Sequence, residues 1–235
     1  MNNRDFKLIV VEGVDSSGKA TQSALLQQKL AEMGKKEVNV EFPNYASDSS
    51  AVVKMYLGGS FGSDPNAVSP YAASAFFAVD RVASVKATWK DLFSNGNIVI
   101  ADRYTTSNMV HQASKIQDLD KKAEFLDWLF DLEYNKLGLP KADLVFFIEM
   151  PVEKSMELAR ARAEYKSGDT KDIHELDSEY MKKSYNNGIE LANHFGWTLI
   201  HCLDEEGNLK TIEDIHAEIM EIATEFLNSR SSENV

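Results

Sequence analysis

The chain has 235 residues, 43% of them hydrophobic and 26% charged, which suits one sizeable α/β domain spanning 1–235. Its 37 acidic against 25 basic residues leave a net charge of −12, which argues against a general nucleic-acid or anionic-membrane surface. The single cysteine, Cys202, rules out an intrachain disulfide, and with a polar start and no apolar run of membrane length the sequence reads as cytoplasmic.

Leu8-Ile9-Val10-Val11-Glu12 is an apolar, β-branched run and predicts a first strand. It runs into Gly13-Val14-Asp15-Ser16-Ser17-Gly18-Lys19-Ala20-Thr21 and then a helical pattern from Lys19. Strand, Gly-rich turn and helix in this order form a phosphate loop. Gly13 and Gly18 let backbone N–H groups turn inward around an anion, the helix start adds its positive end, and Lys19 adds a point charge. Ala20 stands where the motif asks for a metal-binding hydroxyl.

Val38 to Phe42 predicts a second strand, stopped by Pro43. Residues 44–70 are rich in Ser, Gly and Asp, with one short helix from Ala51 to Leu57, and read as a loop over a site. Pro70 opens a long helix through about Phe93. Phe76, Phe77, Val79, Val82 and Ala83 make its apolar stripe, interrupted by Asp80 and Arg81. Ile98 to Asp102 is apolar enough for a central parallel strand and ends in Asp102-Arg103-Tyr104.

Thr105-Thr106-Ser107 offer caps for a following helix, and another helix spans about Lys121 to Lys136. Leu144 to Ile148 predicts the fourth strand. Pro151 starts a helix through Arg160 and Arg162. A polar stretch then reads as a lid, about residues 160–176, carrying Lys166 and Lys171 as well. A helix from Asp177 to Phe195 leads to a fifth strand, Trp197 to Cys202. Thr211 and Asp214 form a capping-box pattern for the last helix, with Ile212, Ile215, Ile219, Ile222 and Phe226 on one face. The tail, 228–235, is expected to fray.

Strands alternating with helices imply a parallel sheet with right-handed crossovers, and ligands in such sheets sit at the carboxyl ends of the strands. Four places are thereby grouped: the phosphate loop, Phe42 to Tyr45, Asp102 to Tyr104, and Pro151 onward. Asp102 is either a carboxylate for Mg²⁺ or its waters, or a helix cap. Arg103 either bridges phosphoryl groups or makes a surface ion pair. Arg81, on an apolar helix face, needs Asp80 or a ligand. Phe77, one turn away, offers an aromatic face to a flat ligand. Asp15 beside phosphates suggests a hydroxyl or a metal water, hence a second substrate. A guanine-reading Asn-Lys-x-Asp is missing: Asn135-Lys136-Leu137-Gly138 lacks the Asp. The histidines show no metal-ligand spacing.

These residues resemble the thymidylate kinase family, the P-loop nucleoside monophosphate kinases that phosphorylate dTMP. The resemblance runs from Leu8 to about Phe226. It rests on the phosphate loop, Phe42-Pro43, Asp80-Arg81 on a Phe-rich helix, Asp102-Arg103-Tyr104, and Gly138-Leu139-Pro140-Lys141-Ala142-Asp143. It implies a P-loop kinase fold, a five-stranded parallel sheet flanked by helices with a lid, and a homodimer. It implies ATP-dependent conversion of dTMP to dTDP in dTTP biosynthesis.

By the same resemblance Gly13, Ser16, Ser17, Gly18, Lys19, Ala20 and Thr21 would bind ATP. Asp15 would take the sugar 3′-hydroxyl, Phe77 would stack on thymine, and Arg81 would bond the base. Arg103 would clamp the phosphates. Phe42, Pro43, Tyr45, Leu57, Ser107, Asn108 and His111 would complete the acceptor pocket. Ser16 and Ser17 stand where some members carry an Arg, which passes the catalytic charge to Arg160 or Arg162 in the lid. With Ala20, Mg²⁺ would be held by phosphates, water and Asp102. Asn44-Tyr45 stands where many members place an Arg near the Phe-Pro pair, and His111 where several place an aromatic residue near the sugar's 2′ carbon, which loosens the expected selection for dTMP. A kinase for another deoxynucleotide or a nucleoside, or a non-catalytic nucleotide-binding protein, are the alternatives.

Overall fold

The structure, a computed structural model, describes residues 6–89, 96–165 and 177–229. Five strands form one sheet: β1 (Lys7–Glu12), β2 (Glu37–Glu41), β3 (Ile98–Asp102), β4 (Leu144–Glu149) and β5 (Thr198–His201). Their order is β2-β3-β1-β4-β5 and every pairing is parallel. In β1, Ile9 and Val11 face one layer while Leu8 and Val10 face the other. All four are fully buried, which is why the strand reads as an unbroken apolar run rather than an alternation.

The first layer holds α1 (Lys19–Glu32) and α8 (Ile212–Ser229), whose Leu26, Leu30, Ile215 and Ile219 pack on the sheet. The second layer holds α3 (Pro70–Thr88), with Val85 and Trp89 against Leu8, Val10, Val99 and Phe42. A short α2 (Ala51–Leu57) precedes α3. After β3 the chain winds through α4 (Thr105–Ser107), a π turn Asn108–Gln112 and a 3-10 turn Ala113–Lys115. α5 (Leu119–Phe130) passes into a second π turn, Asp131–Lys136. α6 (Val152–Tyr165) follows β4, and α7 (Ser178–Phe195) precedes β5. At Gly188 of α7 a Cβ would lie 2.3 Å from the Phe147 ring, so only glycine lets this helix approach β4 so closely.

Helix starts follow their capping residues. Ser69 Oγ accepts from the Ala72 amide ahead of Pro70, Asp177 accepts from the Glu179 and Tyr180 amides, and Thr211 accepts from the Asp214 amide. Three sequence expectations change. On α3, Val79 is 61% exposed whereas Asp80 and Arg81 are buried, because partners outside the helix satisfy both polar groups. Ile212 is 52% exposed, so the buried face of α8 begins at Ile215. Asn228 and Ser229 remain helical; 230–235 lie outside the described residues, as do 90–95 and most of the expected lid, 166–176. Among the described residues no helix is long and apolar enough to cross a membrane.

Register brings the carboxylates to one edge. Val11 lies beside Asp102 in β3, which is in turn beside Glu41 of β2, and Glu149 lies beside His201. The edge where β1, β3 and β4 end is the edge where the phosphate loop begins.

Candidate active site

The backbone leaves β1 at Glu12 and turns through Gly13 (φ 154°), Ser16 (φ 61°) and Gly18 (φ 93°) before α1 starts at Lys19. A Cβ at Gly13 would stand 2.7 Å from Ser17 Oγ and 3.0 Å from the Ile148 carbonyl, so the loop closes against β4 only with glycine there. Lys19 Nζ donates to the Val14 carbonyl across the loop at 2.7 Å. Burial, and then the Arg103 charge, lower the Lys19 ammonium to about 8 against the opposing pull of Asp15, Asp102 and Glu12. Ala20 and Thr21 are exposed on the first turn of α1.

Arg103, just past β3, adopts a left-handed backbone (φ 65°), with its amide on the Val11 carbonyl at 3.1 Å. Its guanidinium meets Asp15 through Nη2, and through Nη1 it donates to Ser107 Oγ (3.3 Å) and His111 Nε2 (2.9 Å). Glu12 Oε1 lies 3.5 Å from the same Nη1. Burial alone would lower its pKa, but Asp15, Glu12 and Asp102 outweigh that and raise it. Because arginine only donates, His111 accepts at Nε2.

Glu12 is a residue that sequence reasoning passed over. It is 0% exposed and accepts from the Gly13 amide (2.9 Å), Thr106 Oγ1 (2.8 Å) and Ser107 Oγ (2.7 Å). A carboxylate ending a fully buried strand was the available signal, since an unpaired one there would be costly. Thr106 and Ser107 thus bond a carboxylate in addition to opening α4.

One open cleft of ≈ 520 Å³ lies beside the loop, and all eleven residues expected to touch the acceptor line it: Asp15, Phe42, Pro43, Tyr45, Leu57, Phe77, Arg81, Arg103, Ser107, Asn108 and His111. Tyr104 and Gln112 join them. Gln112 is 1% exposed, and its Oε1 has no hydrogen-bond partner, a second residue the sequence did not single out. Phe77 is braced edge-on by Tyr56, 6.1 Å between ring centres.

Arg81 is satisfied by neither Asp80 nor an empty space. Its Nε donates to Glu133 Oε2 at 2.9 Å and its Nη2 pairs with Oε1, in an ion pair that is almost fully buried. Asp80 instead holds the loop after β2, accepting from the Asn44 amide (2.8 Å) and Ser49 Oγ (2.5 Å). The Phe42-Pro43 peptide bond at the start of that loop is cis.

Arg160 is exposed on α6. The side chain of Arg162, and Lys166 and Lys171 altogether, lie outside the described residues. Among the described residues no group of three or more His, Cys, Asp or Glu side chains is set to hold a metal. Asp102 is near enough to Lys19 for its charge to raise that lysine's pKa, and Ser17 Oγ is buried in the loop without a partner. Hard oxygen donors of this kind fit a Mg²⁺ ion carried largely by phosphate and water, not an all-protein cage.

A sequence profile of the thymidylate kinase family matches residues 11–219. The chain belongs to the thymidylate kinase family. It is 31% identical to the thymidylate kinase of Mycobacterium tuberculosis over 191 residues, covering 81% of this chain and 87% of that protein. It is 30% identical to a protein named probable thymidylate kinase from Thermococcus onnurineus, over 94% of this chain and 99% of that one. The solved structure of a thymidylate kinase from Candida albicans superposes with a TM-score of 0.70 at 24% identity, over 94% of this chain and 93% of that one. That likeness is one of fold: the P-loop kinase sheet with helices on both faces.

Proposed function

We propose that this member of the thymidylate kinase family transfers the γ-phosphoryl group of ATP to dTMP, giving dTDP and ADP, a step in dTTP biosynthesis. The observation that carries the reading is the two-ended cleft. Its outer end holds two basic groups, Arg103 beside the phosphate loop and Lys19, set among the carboxylates of Asp15, Glu12 and Asp102. Its inner end carries Phe77 and an arginine whose charge is balanced by Glu133. An anionic phosphate suits the first end and a neutral, flat base suits the second.

The loop amides and Lys19 bind the ATP phosphates, with Gly13, Ser16, Ser17, Gly18, Ala20 and Thr21 forming the cradle. Arg103 lies between donor and acceptor and draws their phosphates into line. Asp15 accepts from the sugar 3′-hydroxyl once Arg103 turns to phosphate. Phe77 stacks on the base, and Arg81 and Asn108 bond its edge. An acceptor phosphate oxygen forms the new bond to the γ-phosphorus as the bond to the β–γ bridging oxygen breaks, and ADP carries that electron pair away. Positioning and charge neutralisation lower the barrier, so no covalent intermediate is needed. Mg²⁺, when bound, neutralises charge on the phosphate oxygens, with Asp102 reaching it directly or through water. Arg160 or Arg162 brings the remaining positive charge from the lid.

The reading takes the enzyme as a cytoplasmic homodimer acting on nucleotides rather than on nucleic acid or membrane. A homodimer would cover some of the exposed apolar side chains, such as Val52 and Met55 of α2 and Val79 of α3, and the net charge of −12 supports the partner class. ADP release from ATP and Mg²⁺ with dTMP, dGMP or thymidine tests the function. Release with dTMP is expected. Release only with dGMP or thymidine would favour a different kinase, and ATP binding without release from any acceptor would favour a non-catalytic protein.

A further inference from the structure

The inner wall of the cleft is polar, and its polar edges have fixed directions. Glu133 stands on the π turn Asp131–Lys136, and it is 0% exposed. Its Oε2 accepts from Arg81 Nε, and its Oε1 accepts from Arg81 Nη2 and from Asn108 Nδ2, the last at 2.9 Å. The other Nδ2 hydrogen of Asn108 goes to the Ser74 carbonyl at 3.2 Å.

An amide side chain donates only from nitrogen and accepts only at oxygen. Two acceptors facing Asn108 Nδ2 therefore hold the amide one way round. The edge that Asn108 keeps for a ligand is its Oδ1, an acceptor. Arg81 commits Nε and Nη2 to Glu133. Its remaining donors are the second N–H of Nη2 and the two of Nη1, whose protein bond is a long one, 3.4 Å to the Tyr104 carbonyl. Both residues line the cleft. The wall thus offers a donor edge and an acceptor, and the Glu133 carboxylate bonds the side chains of both, sharing Asn108 with the Ser74 carbonyl.

We propose that Glu133 is a positioning residue that sets the hydrogen-bond polarity of the acceptor site, favouring a neutral base with a ring N–H beside a carbonyl. The inference rests on reading the cleft as the acceptor site. Thymine presents that edge. Cytosine presents the reverse, a ring nitrogen lone pair beside an amino group. Against cytosine, Arg81 Nη1 would face a donor and Asn108 Oδ1 a lone pair, and neither contact would be a hydrogen bond. Glu133 does not touch the base itself; it acts through the two side chains it holds.

The test compares kcat/KM for dTMP and dCMP, with saturating ATP, in the wild type, Glu133→Gln and Glu133→Asp. The wild type should favour dTMP. Glutamine keeps the shape but can turn an N–H donor toward Asn108, which removes one of the two acceptors that hold the Asn108 amide and weakens its preferred orientation. The preference should then fall about tenfold or more, the size of one mismatched hydrogen bond, while the KM for ATP stays unchanged. Aspartate keeps the negative charge opposite Arg81 and covers the case in which Glu133→Gln does not fold. Drawing the carboxylate back by one methylene should lower the preference in the same direction. A purely structural role would instead lower stability, or kcat with both acceptors alike. A folded, active variant with an unchanged dTMP-to-dCMP preference would overturn the proposal, as would a wild type that uses both equally. A wild type that phosphorylates neither would refute the acceptor-site reading itself.

Discussion

The Arg103 guanidinium lies directly on the Asp15 carboxylate, through Nη2 and Oδ1, at the mouth of the phosphate loop. The side chain proposed to clamp phosphates is thus held by the side chain proposed to take a sugar hydroxyl. Glu12 and His111 steady the other nitrogen. Such an arginine must leave Asp15 before it turns to phosphate.

Replacing Arg103 by Ala should lower kcat on the order of 10³, as for other arginines that neutralise a phosphoryl transition state. Steady-state ADP release measures this. Near-normal turnover would make Arg103 a structural ion-pair partner only.

Replacing Arg81 by Ala should raise the KM for dTMP and leave that for ATP unchanged. It should also lower stability by about 3–5 kcal/mol, because the Glu133 carboxylate stays buried without its cation. Acceptor kinetics and a denaturant melt read the two effects separately. An unchanged acceptor KM would count against base recognition by Arg81.

Lys19 makes nucleotide binding depend on pH. Its ammonium titrates near 8 in the ligand-free protein, lowered chiefly by burial. Phosphate in the loop favours the charged form, so the affinity for ATP should weaken as pH rises through about 8. The stability sign is the opposite. With a folded pKa below the unfolded one, the unfolded chain binds more protons over the range from about 8 to 10.5, so this group's contribution to stability rises with pH there. Calorimetric ATP titrations from pH 7 to 9 test the binding half. Lys19→Met should bind weakly and without that pH dependence.

Arg160 and Arg162 are the two candidates for the remaining catalytic charge. Truncating the one that completes the site should slow transfer while ATP still binds. Single-turnover rates with each variant decide which it is, and full activity in both would move that charge to another residue.

Much of the frame is legible in the chain because burial on both faces writes itself as unbroken apolar strands. The carboxyl-end rule then collects the ligand-facing residues without any structure. The clearest example is Arg103, which follows β3 directly and cannot avoid the edge where the loop lies. The partners of the polar groups are not legible in this way. Arg81 and Glu133 are 52 residues apart and meet only because a π turn after α5 directs the carboxylate at α3. Asp80 looked like the natural partner for Arg81 by adjacency, yet neighbours on a helix point in different directions, and it bonds the Asn44 loop. The buried carboxylate of Glu12 is hidden for a related reason: its partners Thr106 and Ser107 come from α4, more than 90 residues on in the chain.

The most direct measurement follows the phosphoryl group itself. ATP labelled in the γ-phosphate is mixed with the enzyme, Mg²⁺ and dTMP, and the products are separated. The account predicts label in the β-phosphate of dTDP, in step with ADP formation. Label appearing only in inorganic phosphate, or staying in ATP while dTMP is left untouched, would contradict it.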